Sequence, residues 1–369
     1  MRFIATCKMG LESTVAFQLR QLGMENVAAS DARVTFDGTY SDMARALLWL
    51  RTAERLLLEI DSFPATTFDM LFEGTRAIPW QQYLRQDSNI HVTGKSAKST
   101  LFSVSDCQSI VKKAVIERLK DSYHCTSFPE TGNEVILEVG LLRDTATIAL
   151  DCCGAGLSRR GYRTYNVPAP ISETLGAAII QLSRYYPDIP LIDPMCGSGT
   201  MPIEAAMIAE NRAPGLLRDF SAENWFFVDH KIFDTARSEA RDAIRPTKLC
   251  ILGSDIDAHC IDLCKKHAKK AGVMVDWAVK PVAEIASAEK NGIIVCNPPY
   301  GERLMQPREI ERLYRQMRGV FDSMPDWSKN IISGYREFEK TYGKRADKRR
   351  KLSNGGMTCT LYQYFREKE

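Results

Sequence analysis

The chain has 369 residues, 44% of them hydrophobic and 26% charged, a soluble globular composition long enough for two or three domains with cores of their own. A formal net charge of +3 neither demands nor excludes a polyanionic partner, because overall charge conceals local patches. No run of about 18 apolar residues occurs, so no membrane span is expected, and the opening MRFIATCKMG lacks the basic-then-apolar layout of a signal, so a cytoplasmic protein is expected.

Residues 11–22 place Val15, Leu19 and Leu22 on one face and predict an amphipathic helix. A helix over 43–50, a strand over 56–60 and a strand over 89–95 follow. Residues 105–119 read as a helix with Ser105 as its N-cap and Ile110, Val111, Val115 and Leu119 turned inward. Residues 135–139 and 145–150 read as a hairpin around Leu142, Arg143 and Asp144. This mixture predicts α+β structure for the first 160 residues. The short NVPAP segment at 166–170 reads as a linker.

Beyond the linker, strands and helices alternate. Strands are expected at 191–193, 249–255, 273–279, 292–297, 330–333 and 357–365. Helices are expected at 201–209, at 258–271 with Gly272 closing the end, and at 309–324. The strand GIIVCN has no polar face, as the centre of a parallel sheet requires. The alternation predicts a doubly wound α/β sheet.

Two loops of this second half carry chemistry. DPMCGSGT, residues 193–200, lies between a strand and a helix. Its Gly197 and Gly199 allow a sharp turn and close approach to a ligand, and the following helix offers its N-terminus to an anionic group. It is neither a GxxxxGK[ST] phosphate loop nor a three-glycine dinucleotide fingerprint. GSDID then puts Asp255 at the carboxyl end of the next strand, where a carboxylate can accept from both hydroxyls of a ribose; Asp257 is expected to cap the helix that follows.

NPPY, Asn297–Pro298–Pro299–Tyr300, follows the most apolar strand. It could be a simple Pro-Pro turn, but its residue types suit an amine nucleophile. The Asn297 oxygen and the Pro298 carbonyl can accept the two N–H groups of a conjugated NH2 and stabilise the charge that grows as its nitrogen attacks. Tyr300 can stack on a base that has left its helix. NPPY does not separate guanine N2 from adenine N6, or either from a protein amide.

Two basic groups are candidates for phosphate contact, although charge runs are often solvated loops: Arg159, Arg160 and Arg163, and Lys344, Arg345, Lys348, Arg349, Arg350 and Lys351. The 11 cysteines include no CxxC pair, and His259, Cys260, Cys264 and His267 on one predicted helix lack zinc-ligand spacing, so neither a disulfide framework nor a metal is expected.

DPMCGSGT, GSDID and NPPYGER together resemble the class I S-adenosylmethionine-dependent amino-methyltransferases. With RRGYR at 159–163 and APISETLGAAII at 169–180, the whole chain resembles the THUMP-domain RNA guanine-N2 methyltransferases, several of which carry an older label as N6-adenine-specific DNA methylases. The resemblance implies a ferredoxin-like region over 1–60, a THUMP RNA-binding domain over 61–165 and a Rossmann-like methyltransferase domain over 166–369. It implies S-adenosylmethionine as cofactor, S-adenosylhomocysteine as product and a structured RNA as partner, with 23S ribosomal RNA preferred over transfer RNA. It places Pro170, Glu173 and Thr174 near the cofactor. Asp193, Pro194, Cys196, Gly197, Ser198 and Gly199 would hold the methionine part, Asp255 the ribose and Ile256 the adenine; Asn297 would face both cofactor and target amine. One departure stands out: where many relatives have an acid after the third strand, this chain reads VKPV with Pro281, so no adenine-contacting acid is named. N6-methylation of adenine in DNA or RNA, and a noncatalytic RNA-binding assembly factor, remain the alternatives. A DNA enzyme would need a groove-reading module, and no helix-turn-helix or zinc module is seen.

Overall fold

The computed structural model describes residues 1–163, 171–300 and 307–366. The first half opens as β1 (Arg2–Cys7), α1 (Glu12–Gln21), β2 (Glu25–Ser30), β3 (Arg33–Asp37), α2 (Tyr40–Trp49) and β4 (Ala53–Pro64), a βαββαβ ferredoxin-like arrangement. It continues with α3 (Phe68–Ala77), β5 (Asn89–Ala97), α4 (Val104–Tyr123), β6 (Glu134–Leu142) and β7 (Thr145–Asp151). All seven strands form one sheet in the order β2-β3-β1-β4-β7-β6-β5. The twelve-residue β4 joins its two parts: it pairs antiparallel with β1 on one side and with β7 on the other, so position 60/61 lies inside a strand.

Local chemistry explains some boundaries. Thr39 caps α2 by accepting from the Asp42 N–H at 3.2 Å while Asp42 accepts from the Thr39 N–H at 2.9 Å, a reciprocal capping box. The β6–β7 hairpin turns at Arg143 and Asp144, both at positive φ (50° and 62°), which matches the right-handed twist of the flanking strands. One expectation is corrected: α4 starts at Val104, so Ser105 lies inside the helix; Ser103 holds the cap position, without a side-chain cap bond.

The second half contains α5 (Glu173–Leu182), β8 (Leu191–Asp193), α6 (Thr200–Ala209), α7 (Lys231–Asp242), β9 (Ile251–Asp255), α8 (Ala258–Ala271) and β10 (Asp276–Val279). It ends with β11 (Ile293–Cys296), α9 (Pro307–Asp322), β12 (Ser328–Ser333), α10 (Phe338–Tyr342), β13 (Lys348–Asn354) and β14 (Met357–Tyr364). Its sheet runs β10-β9-β8-β11-β12-β14-β13. The first five strands are parallel; β14 and β13 close the edge antiparallel. Every residue of β11 is buried, as its apolar sequence requires. The second part of the basic stretch, from Lys348 to Lys351, opens the edge strand β13, where Lys and Arg discourage a further strand from pairing. No described helix is long and apolar enough to cross a membrane.

A buried polar cluster ties the halves together. Glu204, on α6, accepts from Arg160 Nε at 3.3 Å and from the Tyr162 hydroxyl at 3.1 Å. Arg160 also donates to the carbonyls of Leu157 (2.7 Å) and Arg51. Arg51 in turn donates to the Arg212 carbonyl at 2.9 Å; burial lowers its pKa to about 10 against the opposing pull of Glu204. Arg160 is only 2% exposed, which corrects its assignment to RNA: its guanidinium is spent inside the interface. Removing one partner of such a cluster strands a buried charge. Glu204→Ala is therefore expected to destabilise the protein by about 3–5 kcal/mol, read as a lowered midpoint in chemical denaturation; a loss below about 1 kcal/mol, the level of surface pairs, would contradict this role.

Candidate active site

The carboxyl ends of β8, β9 and β11 open onto one cavity of about 400 Å³, within the roughly 300–1,000 Å³ of small-molecule sites. Strand order reverses between β8 and β11, and a doubly wound sheet leaves its crevice at such a point.

Asp193 ends β8. Its Oδ1 accepts from the Met195 N–H at 3.2 Å, while Oδ2 is buried with no partner among the described residues. Burial pushes the carboxyl well above the usual carboxylate range, and the negative Asp255 adds to it. A solvent-free carboxylate with a free oxygen is a receptor for a cation. The loop beyond is held from below: Cys196 N–H donates to Ser254 O at 2.9 Å, Cys264 Sγ to Gly197 O at 3.1 Å and His267 Nδ1 to Ser198 O at 3.1 Å. Gly199, at φ +82°, turns the chain into α6. A Cβ there would lie 2.8 Å from the Trp277 ring and 3.0 Å from Cys264 Sγ, so Gly199 serves packing behind the loop and does not line the cavity.

Asp255 ends β9. Its Oδ2 accepts from the Gly197 N–H at 2.9 Å and its Oδ1 from the Asp257 N–H at 3.0 Å, so the second strand and the glycine loop fix one another. Asp257 caps α8 by accepting from the His259 N–H at 2.8 Å, as the sequence predicts. The exposed Ile256 projects at the cavity, and Pro281 and Val282 close the same end, giving an apolar slot suited to a planar base.

Asn297 follows β11. Its Oδ1 is buried and has no partner among the described residues. The Pro299 carbonyl accepts from the Tyr314 hydroxyl at 3.1 Å, which also meets Ser333 Oγ at 3.1 Å, so α9 and β12 both brace the turn. The Tyr300 hydroxyl accepts from Asn354 Nδ2 at 3.0 Å and from Cys359 Sγ at 3.5 Å. One side of its ring lies on Gly334, where a Cβ would come within 3.0 Å of the ring. Burial raises the Tyr300 pKa, so it stays a neutral phenol.

The structure thus brings together Asp193, Pro194, Cys196, Gly197, Ser198, Asp255, Ile256, Asn297, Pro298, Pro299 and Tyr300 around one cavity. Other expectations are corrected. Glu173 turns to Arg163, 3.3 Å away, and Thr174 donates to Glu54 at 2.6 Å, so neither lines the cavity. Arg163 donates to Ile171 O and Thr200 Oγ1, both at 2.7 Å, so it supports the start of α6 and is not free for phosphate. Arg349 is paired with Glu339 at 2.9 Å and Arg350 donates to Gly10 O at 2.7 Å; Arg159, Lys344, Arg345, Lys348 and Lys351 are exposed. Pro170 lies outside the described residues. Sequence reading missed Ile171, Leu313, Gln316 and Met357 on the cavity wall; the last three stand in no motif.

Comparison with known proteins matches the RlmL ferredoxin-like domain over residues 2–57, the THUMP domain over 65–151 and the RMKL-like methyltransferase domain over 160–363. YpsC of Bacillus subtilis (strain 168), provisionally named an RNA methyltransferase, is 43% identical over 367 residues, covering 98% of this chain and 95% of that protein. Ribosomal RNA large subunit methyltransferase K/L of Syntrophotalea carbinolica (strain DSM 2380 / NBRC 103641 / GraBd1) is 33% identical over 385 residues. That match covers 99% of this chain and 53% of that protein, so this chain spans about half its length. The solved structure of SMU.472, provisionally a methyltransferase and complexed with SAH, is 38% identical with a TM-score of 0.92, covering 100% of this chain and 98% of that one.

If Asp193 receives the cationic end of a cofactor, Asp193→Asn should weaken binding of S-adenosylhomocysteine on the order of tenfold to a hundredfold, the loss of one charged hydrogen bond. Because the raised pKa leaves Asp193 protonated in acid, wild-type affinity should fall as pH is lowered, whereas the Asn variant should lose that dependence. Calorimetric titration across pH checks both; equal affinities and parallel pH profiles would refute the assignment.

Proposed function

The chain belongs to the RMKL-like family of THUMP-containing methyltransferases, and from that premise we propose that it transfers a methyl group from S-adenosylmethionine to the exocyclic N2 amine of a guanine in RNA. The observation that carries the reading is that the buried Asn297 oxygen and the buried Asp193 oxygen lie in the same cavity, neither with a partner among the described residues. One awaits a donor on the target side, the other a cation on the cofactor side.

The residues fit the cofactor. Asp193 Oδ2 suits its ammonium, Asp255 its ribose hydroxyls, and Ile256, Pro281 and Val282 the faces of its adenine. When bound, S-adenosylmethionine supplies a sulfonium-activated methyl and leaves as S-adenosylhomocysteine.

The chain's own residues must make an aromatic amine nucleophilic, since its lone pair is delocalised into the ring. Asn297 Oδ1 and the Pro298 carbonyl accept its two N–H groups, favour a pyramidal nitrogen and stabilise the positive charge that develops there. Tyr300, seated on Gly334 and held by Asn354, offers its ring to the flipped base. Fixed positions for both partners contribute the rest. No strong general base is required: the methylated nitrogen is acidic enough to lose its proton to water.

The assignment to RNA rests on the THUMP match and on the exposed Lys344, Arg345, Lys348 and Lys351. Lys351 lies on β13 opposite Thr360, three residues along β14 from the cavity-lining Met357, whereas Lys348 pairs with Gln363 toward the other end of the sheet, so on this strand Lys351 is the lysine nearer the catalytic mouth. The relative that acts on large-subunit ribosomal RNA favours that RNA as substrate.

Labelled S-adenosylmethionine, the protein and total RNA from cells lacking it form the decisive assay, followed by digestion to nucleosides and chromatography. Label in N2-methylguanosine is expected. Label in N6-methyladenosine would overturn the base assignment, and label confined to DNA or protein would overturn the RNA reading.

A further inference from the structure

The adenine end of the cavity has apolar walls, Ile256, Pro281 and Val282, and Pro281 stands where an acid could have met the base. The backbone there is spent. Pro281 has no N–H. Its carbonyl accepts from the Glu284 N–H at 3.0 Å, and the Val282 carbonyl accepts from the Ile285 N–H at 3.2 Å, closing the short 3-10 turn Val282–Glu284. An adenine in this slot carries an N6 amine and an N1 acceptor side by side. Where that edge gives up water without new partners, binding is penalised.

One polar side chain of the cavity wall stands at this end. Gln316 lines the cavity from α9 together with Leu313, three residues earlier on the same face. Leu313 packs on the apolar cluster that contains Val282 and Ile285, so this face of α9 lies against the 3-10 turn beyond Pro281. Tyr314 and Met317 point the other way and are buried. Gln316 itself is exposed and makes no hydrogen bond among the described residues. An exposed carboxamide beside an apolar slot is placed to meet the polar edge of a planar base whose faces the slot covers.

We propose that Gln316 holds the Watson–Crick edge of the cofactor adenine, its oxygen accepting from the N6 amine and its NH2 donating to N1. A carboxamide presents one acceptor and one donor side by side, the complement of that edge. A helix side chain thus takes the place of an acid after the third strand. This rests on the placement of the adenine between Ile256 and Pro281–Val282, and is independent of which base the enzyme methylates.

The test compares, by calorimetric titration, S-adenosylhomocysteine with its purine analogue, in which hydrogen replaces the N6 amine. Wild-type protein is expected to bind the analogue about threefold to tenfold more weakly, the net loss of one hydrogen bond. Gln316→Ala is expected to weaken S-adenosylhomocysteine by at least about that factor and to bind the two ligands within about twofold of each other. Gln316→Glu, whose carboxylate still accepts from N6, is expected to keep the preference for the amine. Gln316 is exposed on a helix, and Ala is a better helix former, so folding is not at risk. A Gln316→Ala variant that keeps the wild-type preference would overturn the role of Gln316, as would wild-type protein that binds both ligands alike. The adenine placement is read separately through the exposed Ile256, since Ile256→Ala removes apolar area from the slot and is expected to weaken S-adenosylhomocysteine. Unchanged affinity in that variant would overturn the placement itself.

Discussion

Neighbouring parallel strands wound in opposite directions leave a gap beyond their carboxyl ends that their own connections do not fill. Here the gap opens between β8 and β11, and everything chemical is arranged around it. The central strands are buried on both faces, so only their ends reach a ligand. Asp193, Asp255 and Asn297 stand at three such ends. Two of them hold buried oxygens with no partner among the described residues, an arrangement that costs stability and that a ligand in the cavity would satisfy.

The sheet alone does not hold the loops still. Asp255 accepts from the Gly197 N–H, so the second strand sets the glycine loop, and Cys264 and His267 of α8 hold its carbonyls from behind. Tyr314 and Ser333 brace NPPY from the other side. The first half of the chain is locked onto the same frame by Arg51, Arg160 and Glu204, and by Gln18, which donates to Gln181 at 2.8 Å. Any RNA gripped by the first half is thereby presented to a catalytic cavity at a fixed distance.

Much of this was legible in the sequence, because local chemistry governs it. The glycine loop, the acid ending the second strand and NPPY announce themselves by residue type and position. Helix α8 falls at 258–271 with Gly272 left-handed at φ +72°, because an Asp cap and a Gly stop are local signals. Arg160 and Arg163 misled because a run of arginines looks the same whether it meets solvent or a buried carboxylate; Glu204 lies 44 residues further on. Glu173 and Thr174 were misplaced for a like reason, since Arg163 and Glu54 claim them only in three dimensions. The strand β13 was hidden by its charge, which an edge position tolerates. Gln316 carries no motif, and only the placement of α9 against the catalytic turn brings it to the cavity.

The central claim is that Asn297 captures the target amine and stabilises its developing charge. The most direct test is single-turnover methyl transfer by Asn297→Ala, measured beside its affinity for S-adenosylhomocysteine. The account predicts a rate loss of about 10²–10³, as for removal of one preorganised charge-stabilising group, with affinity kept within about tenfold. A variant that binds the cofactor and transfers methyl at the wild-type rate would contradict it.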